Sequence, residues 1–146
     1  MDPNSAEFQY VTGQGRERFP ALLAGFATRS EAARAQAGWR LDLPYGPHHR
    51  QVLDLKPAGP AARGTVLYFH AGYWQSRDKS QFHFLAPAFN AMGWSLALAN
   101  YPLCPEVGVP QIVESAALAL ARVAAMHEKG ELGGPLVLCG HSAGAH

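Results

Sequence analysis

The chain has 146 residues, of which 48% are hydrophobic and 16% are charged, a composition typical of a globular protein. Its 12 Lys and Arg residues against 11 Asp and Glu residues leave a formal net charge of +1, which excludes the strong basic field that binds nucleic acid or an anionic membrane. Its apolar stretches fall short of the roughly 20 residues that a membrane-spanning helix needs, and its polar start is unlike a signal peptide. Two cysteines are too few for a disulfide framework and suit a reducing compartment. We therefore predict a single domain over residues 1–146 and a cytoplasmic location.

The first part of the chain predicts a helix followed by two antiparallel strands. Residues 16–39 are rich in alanine with scattered charges, which favours a helix, and Pro20 predicts a break near Phe19. The segments 41–43 and 51–55 alternate apolar and polar residues, as half-buried antiparallel strands do.

The rest of the chain predicts parallel strands joined by helices. Residues 80–92 carry apolar side chains near a 3.6-residue period, and Pro110 can begin a long helix that runs to about His127 and is ended by Gly130. Because strands alternate with helices, we predict an α/β fold in which a mostly parallel central sheet carries helices on both faces. Three continuous apolar runs predict strands buried on both faces: 65–69, 94–99 and 135–139.

The segment Gly140-His141-Ser142-Ala143-Gly144 directly follows the last predicted strand. A Gly-x-Ser-x-Gly segment between a strand and a helix allows a tight, strained turn that exposes the serine hydroxyl. We predict that Ser142 is a nucleophile and that the backbone N–H of Ala143 is one donor to the oxyanion of an acyl-transfer reaction. The alternative is an ordinary strand-to-helix turn in which Ser142 caps the helix.

A second segment, His70-Ala71-Gly72-Tyr73-Trp74, follows the first predicted parallel strand. A loop after that strand lies over the same end of the sheet as Ser142, where a second oxyanion donor is needed. The small residues Ala71 and Gly72 let the backbone approach a substrate, so their N–H groups are the candidate donors. Tyr73 and Trp74 would line the pocket and stack on an aromatic substrate. The alternative is a surface loop whose two aromatic side chains fold onto the core.

The segment from His70 to Gln75 resembles the His-Gly-Gly-x-Trp oxyanion motif of the α/β-hydrolase superfamily. Its Tyr-Trp-Gln ending and the elbow Gly-His-Ser-Ala-Gly-Ala-His are similar to the arylformamidase branch, as are residues 41–46 and 99–105. The resemblance covers about residues 41–146. It implies a cofactor-free serine hydrolase of N-formylkynurenine or related aryl formamides, often with ester cleavage as well.

The chain departs from the pattern of that superfamily at two segments. Ala71 stands where the motif has its first glycine, and its Cβ would add roughly 1 kcal/mol of strain if that position needs a positive φ. Asn100-Tyr101-Pro102 stands where related esterases often have Asp-Tyr-Arg, so an ion pair made there is expected to be absent.

The larger departure concerns the order Ser, then Asp or Glu, then His that the superfamily uses. After Ser142 the chain has only Ala143, Gly144, Ala145 and His146, with no carboxylate. The matching histidine of the family's elbow is not its base, so we expect a packing role for His146. We therefore expect this chain to be the amino-terminal portion of such an enzyme, with the acid and base of the triad outside it, and expect this portion alone to be inactive.

The histidine pattern favours no metal site. His48 and His49 are adjacent, so their side chains are expected to diverge, and a solvated turn is the favoured interpretation. Cys139 is expected to be an inert core residue. We predict no metal, no cofactor, a small-molecule substrate, and neither a nucleic acid nor a membrane as partner; an oligomer stays open. The alternatives are a carboxylesterase of small acyl esters and a catalytically silent hydrolase-like module.

Overall fold

The computed structural model describes residues 2, 4–10 and 17–146. The helices are α1 (Ala6–Tyr10), α2 (Arg18–Arg34), α3 (Ala86–Ala91) and α4 (Val109–Glu128), with 3-10 helices at Lys79–Leu85 and Ser142–Ala145. The strands are β1 (Arg40–Pro44), β2 (Val52–Lys56), β3 (Gly64–Phe69), β4 (Trp94–Ala99) and β5 (Leu136–Gly140).

The five strands form one sheet in the order β1-β2-β4-β3-β5. β1 and β2 are antiparallel, and β2 is antiparallel to β4, whereas β3 runs parallel to both β4 and β5. The last residue of β3, Phe69, is in register with Ala99 of β4 and Gly140 of β5. The three parallel strands therefore end at one edge of the sheet, which brings together the loops that follow them.

Apolar side chains pack on both faces of the sheet, as predicted for an α/β fold. Successive residues of β3 point to opposite faces. Leu67 and Phe69 belong to the core on the face that α4 covers, and Val66 belongs to the core beneath Phe82 and Ala86. The buried positions of α4 recur at helical spacing: Ile112, Ser115, Ala119, Val123 and Met126.

β3 and β4 are buried as predicted, but the same prediction for β5 is wrong. Every residue of β3 is buried, whereas Val137 and Leu138 of β5 are 41% and 55% exposed. β5 is an edge strand that pairs only with β3 within the described residues. An apolar run predicts a strand whose two faces can be buried, but the run does not determine which strands other elements cover. Among the described residues, the apolar side chains of both cores pack mainly on β3 and β4.

The helix expected over residues 16–39 is shorter than predicted, and Pro20 does not break it. α2 begins at Arg18 and ends at Arg34, while residue 16 lies outside the described residues. Pro20 lies in the first turn of α2, where a backbone N–H has no partner in the helix, so its missing N–H removes no hydrogen bond.

Residues 80–92 do not form the single α-helix that their periodicity predicts. The segment Lys79–Leu85 is a 3-10 helix, capped by Asp78 whose carboxylate accepts a hydrogen bond from Ser80 N–H. Only Ala86–Ala91 is α-helical. Pro87 provides the physical reason, because it has no N–H to continue α-helical hydrogen bonding onto the preceding turn.

The segment 51–55 is antiparallel as predicted but is buried more fully than expected. Leu53, Asp54 and Leu55 of β2 are all buried, so the polar position does not face solvent. Asp54 accepts hydrogen bonds from Lys79 Nζ at 2.9 Å and from His83 Nε2 at 2.7 Å. A buried charge is tolerated when it is paired and hydrogen-bonded, and this network ties the 3-10 helix to the sheet.

α4 corrects one expectation about apolar length. Its 20 residues make it long and apolar enough to cross a membrane by length and composition alone, although the sequence expectation was that no stretch reaches that size. One face of α4 packs on the sheet core. Because a core helix can pass the same test, the length of α4 is weak evidence for a membrane span.

Candidate active site

Ser142 lies on a strained turn at the end of β5. His141 N–H donates to the carbonyl oxygen of Phe69 at 3.2 Å, which fixes the turn against the end of β3. Ser142 then takes a φ of 53°, in the left-handed region that costs a residue with a Cβ roughly 1 kcal/mol or more. The chain continues as the 3-10 helix Ser142–Ala145. This is the strand–turn–helix setting in which an exposed serine can act as a nucleophile.

Two glycines make that tight turn sterically possible. A Cβ on Gly140 would lie 2.2 Å from the carbonyl oxygen of Gly144, and a Cβ on Gly144 would lie 2.2 Å from the carbonyl oxygen of Phe69. Both distances are far below van der Waals contact. The Gly-x-Ser-x-Gly spacing is therefore required by the close approach of the turn to itself and to β3.

The loop after β3 folds into a second tight turn around Gly72. The carbonyl oxygen of Gly72 accepts hydrogen bonds from the N–H groups of Gln75 and Ser76, at 2.9 and 3.0 Å. Gly72 has a φ of 148°, and a Cβ there would lie 2.1 Å from the carbonyl oxygen of Ser76. The carbonyl of Gly72 is thus engaged inside the turn, whereas its N–H makes no hydrogen bond among the described residues.

The strain expected at Ala71 falls on its neighbours instead. Ala71 does not adopt a positive φ, so the substitution of the first motif glycine carries no such strain. Tyr73 and Trp74 adopt φ values of 56° and 61°, and Cys104 N–H donates to the carbonyl oxygen of Trp74 at 2.8 Å. The loop is thus held in its strained form by a contact with the chain after β4.

Ser142 and the loop around Gly72 line one cavity of about 290 Å³. Ala71, Gly72 and Tyr73 contribute to one side of it, next to His141 and Ser142. The opposite wall is apolar and comes mainly from α2 and the 3-10 helix, through Phe19, Leu22, Leu23, Phe26 and Phe82. Neither periodicity nor motif indicates that α2 contributes to the cavity, because α2 is close to the loop only in the folded chain.

Two residues of the motif after β3, His70 and Trp74, do not line the cavity, although Trp74 was expected to. Trp74 does not line it; its ring packs edge-on against His146, with centroids 5.5 Å apart, and against the core. His70 is 1% exposed and is stacked between Phe82 and Tyr101, at centroid distances of 5.7 and 4.4 Å. His146 therefore has the packing contact expected for it.

His70 is a neutral positioning group. Burial lowers its pKa to about 4, and its Nδ1 lies 2.8 Å from the carbonyl oxygen of Ala71. Nδ1 must carry the proton in that contact, because a carbonyl oxygen can only accept. The hydroxyl of Tyr101 donates to the carbonyl oxygen of His70 at 2.6 Å. These contacts fix the backbone of residues 70 and 71 where it enters the loop.

Arg50 is the residue of the site that sequence reasoning missed. Its guanidinium donates to the carbonyl oxygens of Arg77 and Tyr101, each at 2.8 Å, and pairs with Asp78 at 3.3 Å. Arg50 thereby joins the loop after β3 to the loop after β4. Only the tertiary structure brings together partners that lie 27 to 51 positions away in sequence.

Asn100 completes this junction without the ion pair of related esterases. Its Nδ2 donates to Asp78 at 2.6 Å and its Oδ1 accepts from Lys79 N–H at 2.7 Å. Burial alone would raise the pKa of Asp78, but hydrogen bonds from Ser80 and Asn100 and the nearby Arg50 charge lower it to about 2. In this region Arg50 and Asp78 form an ion pair, and the uncharged side chain of Asn100 links Asp78 to the backbone of Lys79.

A second cluster lies outside the cavity and corrects one expectation. The rings of His48 and His49 do not diverge; their centroids are 4.3 Å apart, and Glu106 lies beside them. Their ligand atoms fall within 4.8 Å of one another, a donor set that could suit zinc. However, His48 Nδ1 accepts from Arg50 N–H at 3.1 Å, so in the neutral ring Nε2 carries the proton and donates it to Glu106 at 3.0 Å. This arrangement uses both ring nitrogens in hydrogen bonds and therefore favours a hydrogen-bonding role for His48 over a metal-ligand role.

Comparison with known sequences identifies the relatives of the chain. No protein-family model matches it. It is 28% identical to the kynurenine formamidase of Danio rerio over 154 aligned positions, which cover 100% of this chain and 52% of the relative. It is 30% identical to the kynurenine formamidase of Salmo salar, with coverages of 100% and 51%. The chain spans about half the length of these curated relatives.

Comparison with solved structures gives the same fold. A proposed thioesterase from Silicibacter sp. superposes with a TM-score of 0.83 at 36% identity, over 94% of this chain and 51% of that chain. An esterase from Thermogutta terrifontis superposes with a TM-score of 0.62 at 27% identity, over 75% and 43%. Esterase B from Lactobacillus rhamnosis, at 23% identity and a TM-score of 0.64 over 87% and 44%, supports the fold alone.

The sheet order, the helices on both faces and the tight turn after β5 are those of the α/β-hydrolase fold, which the chain shares with these esterases. By sequence, the chain is a homologue of the kynurenine formamidases.

Proposed function

We propose that the protein is a serine hydrolase whose substrate is an aryl formamide such as N-formylkynurenine. One observation carries the proposal: Ser142, on its strained turn, lines the same cavity as the backbone of Ala71 and Gly72. The relatives named kynurenine formamidase support the choice of substrate. The apolar wall of the cavity suits an aromatic ring.

In the proposed reaction, Ser142 Oγ attacks the formyl carbon of the substrate. The N–H groups of Ala143 and Gly72, with that of Ala71 beside them, donate to the oxygen that becomes negative in the tetrahedral intermediate. Cleavage of the C–N bond releases the aryl amine, which takes up a proton, and leaves the formyl group on Ser142 as an ester. Water then hydrolyses this ester to formate and restores the serine.

The serine needs a base to accept its proton and an acid to orient that base. Among the described residues, no histidine is hydrogen-bonded to the hydroxyl of Ser142, and His146 packs against Trp74. We propose that the acid and the base come from the remainder of the full-length protein. In this proposal the enzyme is cytoplasmic and acts on a small molecule. It uses no metal or cofactor and binds neither nucleic acid nor a membrane.

The test is the hydrolysis of an aryl formamide by the full-length protein and its Ser142→Ala variant. We expect kcat to fall by about a thousandfold or more, because the variant lacks the attacking oxygen. Ser76→Ala is the matched control, since Ser76 is another serine that lines the cavity, and its hydroxyl donates only to the carbonyl oxygen of Gly72, at 3.0 Å; the loss of that contact should change kcat by less than about tenfold. Retained activity in Ser142→Ala, or an equal loss in Ser76→Ala, would contradict the assignment of the nucleophile.

A carboxylesterase of small acyl esters is the second candidate, because the esterase of Thermogutta terrifontis is 27% identical to the chain. The substrates of the two candidates differ in the group on the reacting carbonyl carbon, hydrogen or methyl, and in the leaving atom, nitrogen or oxygen. A formyl carbon carries only hydrogen, so a tight cavity can exclude the methyl group of an acetate, typically at a cost of about 1–3 kcal/mol. We expect a higher kcat/KM for an aryl formamide than for the matched aryl acetate. Comparable or higher kcat/KM on the acetate would assign the protein to the carboxylesterases.

A further inference from the structure

Arg77 lines the cavity on the loop that also carries Gly72. Within the described residues, it is the one lining side chain with a permanent charge, because the other lining residues are apolar, neutral polar or a histidine. Its guanidinium carbon lies 5.9 Å from the ring centroid of Phe19, on the apolar wall that α2 provides. The cavity therefore has a serine, an aromatic wall and one cation.

The cation has no carboxylate of its own. No ion pair or side-chain hydrogen bond of Arg77 occurs among the described residues. The adjacent carboxylate of Asp78 is already engaged by Arg50, Asn100 and Ser80. An unpaired guanidinium beside an apolar wall is a ready partner for an anionic group, because the weakly hydrated guanidinium can donate two parallel hydrogen bonds to a carboxylate.

The backbone at Arg77 is held in a strained conformation. Arg77 has a φ of 78°, in the left-handed region that a long side chain rarely adopts. Arg50 Nη2 donates to the carbonyl oxygen of Arg77 at 2.8 Å, and Asp78 begins the 3-10 helix directly after it. The junction built by Arg50 thus fixes the position from which the Arg77 side chain projects. Strain maintained by surrounding contacts at a cavity is typical of a functional position.

We propose that Arg77 binds a carboxylate of the substrate and makes the enzyme selective for aromatic formamides that carry one. The inference rests on the proposed function, since it assigns one end of the same cavity. The aromatic ring lies against the wall that includes Phe19 and Phe26, the formyl group faces Ser142, and the carboxylate pairs with Arg77. Arg77 is a specificity residue in this arrangement and takes no part in bond cleavage.

The test measures binding, so that it does not depend on turnover. The full-length protein carrying Ser142→Ala is titrated by calorimetry with 2-formamidobenzoate and with formanilide, which differ only in the carboxylate. Arg77→Gln removes the charge, Arg77→Lys keeps the charge without the planar fork, and Arg63→Gln removes an exposed charge at the amino end of β3. Circular dichroism checks that each variant is folded.

We expect the Ser142→Ala protein to bind 2-formamidobenzoate about tenfold or more tightly than formanilide. Arg77→Gln should abolish that preference while changing the affinity for formanilide less than about threefold; Arg77→Lys should retain part of the preference, and Arg63→Gln all of it. Equal affinities for the two ligands before mutation, or an unchanged preference in a folded Arg77→Gln variant, would overturn the proposal.

The failure of the proposed function has a different signature. An enzyme that hydrolyses no formamide but binds the anionic ligand through Arg77 would refute the reaction and keep the binding site. An enzyme that hydrolyses both formamides with equal kcat/KM, in the presence and absence of Arg77, would keep the reaction and refute the role of Arg77.

Discussion

β3 and β5 are neighbouring parallel strands of similar apolar sequence, yet their side chains differ in exposure to solvent. Leu67 and Leu138 are in register on adjacent strands, but Leu67 is fully buried and Leu138 is 55% exposed. β3 has paired strands on both sides and packed side chains on both faces, whereas β5 pairs with one strand in the part of the chain that the structure describes. Within the described residues, the burial of these two apolar strands therefore follows the elements that pack against each of them.

The difference extends to the residues that follow the two strands. Each strand is followed by a histidine: His70 after β3 is buried and stacked between aromatic rings, and His141 after β5 is exposed. The loop that contains Gly72 is thus anchored in the core of this chain. The turn with Ser142 is anchored mainly by its contacts with the end of β3.

The largest expected effect tests the comparison directly through the free energy of unfolding. Leu67→Ala should destabilise the 146-residue chain by about 2–5 kcal/mol, because it leaves a cavity in a packed core. Leu138→Ala is the matched control and should cost less than about 1 kcal/mol, since that side chain is largely in water. Urea denaturation of the two variants measures both values.

Repeating the pair in the full-length protein sharpens this result. A higher cost for Leu138→Ala there would measure how much of β5 is covered by the remainder of the protein. Equal costs for the two variants in the 146-residue chain would contradict the difference between β3 and β5.

The next prediction uses the pH dependence of stability to distinguish His70, after β3, from His141, after β5. Because burial lowers the pKa of folded His70 to about 4, while an unfolded histidine titrates near 6.5, the unfolded chain binds the proton more readily. Stability should therefore fall as the pH decreases from about 6.5 to about 4, by roughly 3 kcal/mol from this one group. Urea denaturation across that range should show the loss, and His70→Gln should remove most of it.

The carboxylate of Asp78 acts mainly in a lower pH range than His70 does. The pKa of Asp78 is lowered to about 2, so most of its contribution is lost as the pH falls from about 4 to about 2, with a small part lost between about 5 and 4. His141→Gln, at the end of β5, is the matched control. A His70→Gln variant that kept the whole decrease between pH 6.5 and 4 would show that His70 is not its source.

The smallest effect concerns the strain at Ser142. Since φ is 53° there, Ser142→Gly should be more stable than Ser142→Ala by about 1 kcal/mol, because glycine has no Cβ to oppose that conformation. Both variants lack the hydroxyl, so the comparison isolates the backbone. Thermal unfolding of the two proteins under identical conditions gives the difference. An alanine variant as stable as the glycine variant would mean that the turn relaxes when the serine is removed.

Local sequence determined much of the fold and the outline of the site. The apolar runs of β3 and β4 and the alternation of β1 and β2 specify strands because side-chain period and burial go together. The Gly-x-Ser-x-Gly spacing marks the turn after β5 because two close backbone approaches, at Gly140 and Gly144, admit no Cβ.

Tertiary structure decided what depends on distant parts of the chain. Arg50 joins two loops, α2 forms a wall of the cavity, and Asp54 is buried because Lys79 and His83 meet it there. Trp74 turns to the core although its motif placed it in the pocket. In each case the favoured position of the side chain depends on partners that are far away in sequence. Hydrophobic periodicity and local motifs do not specify those partners.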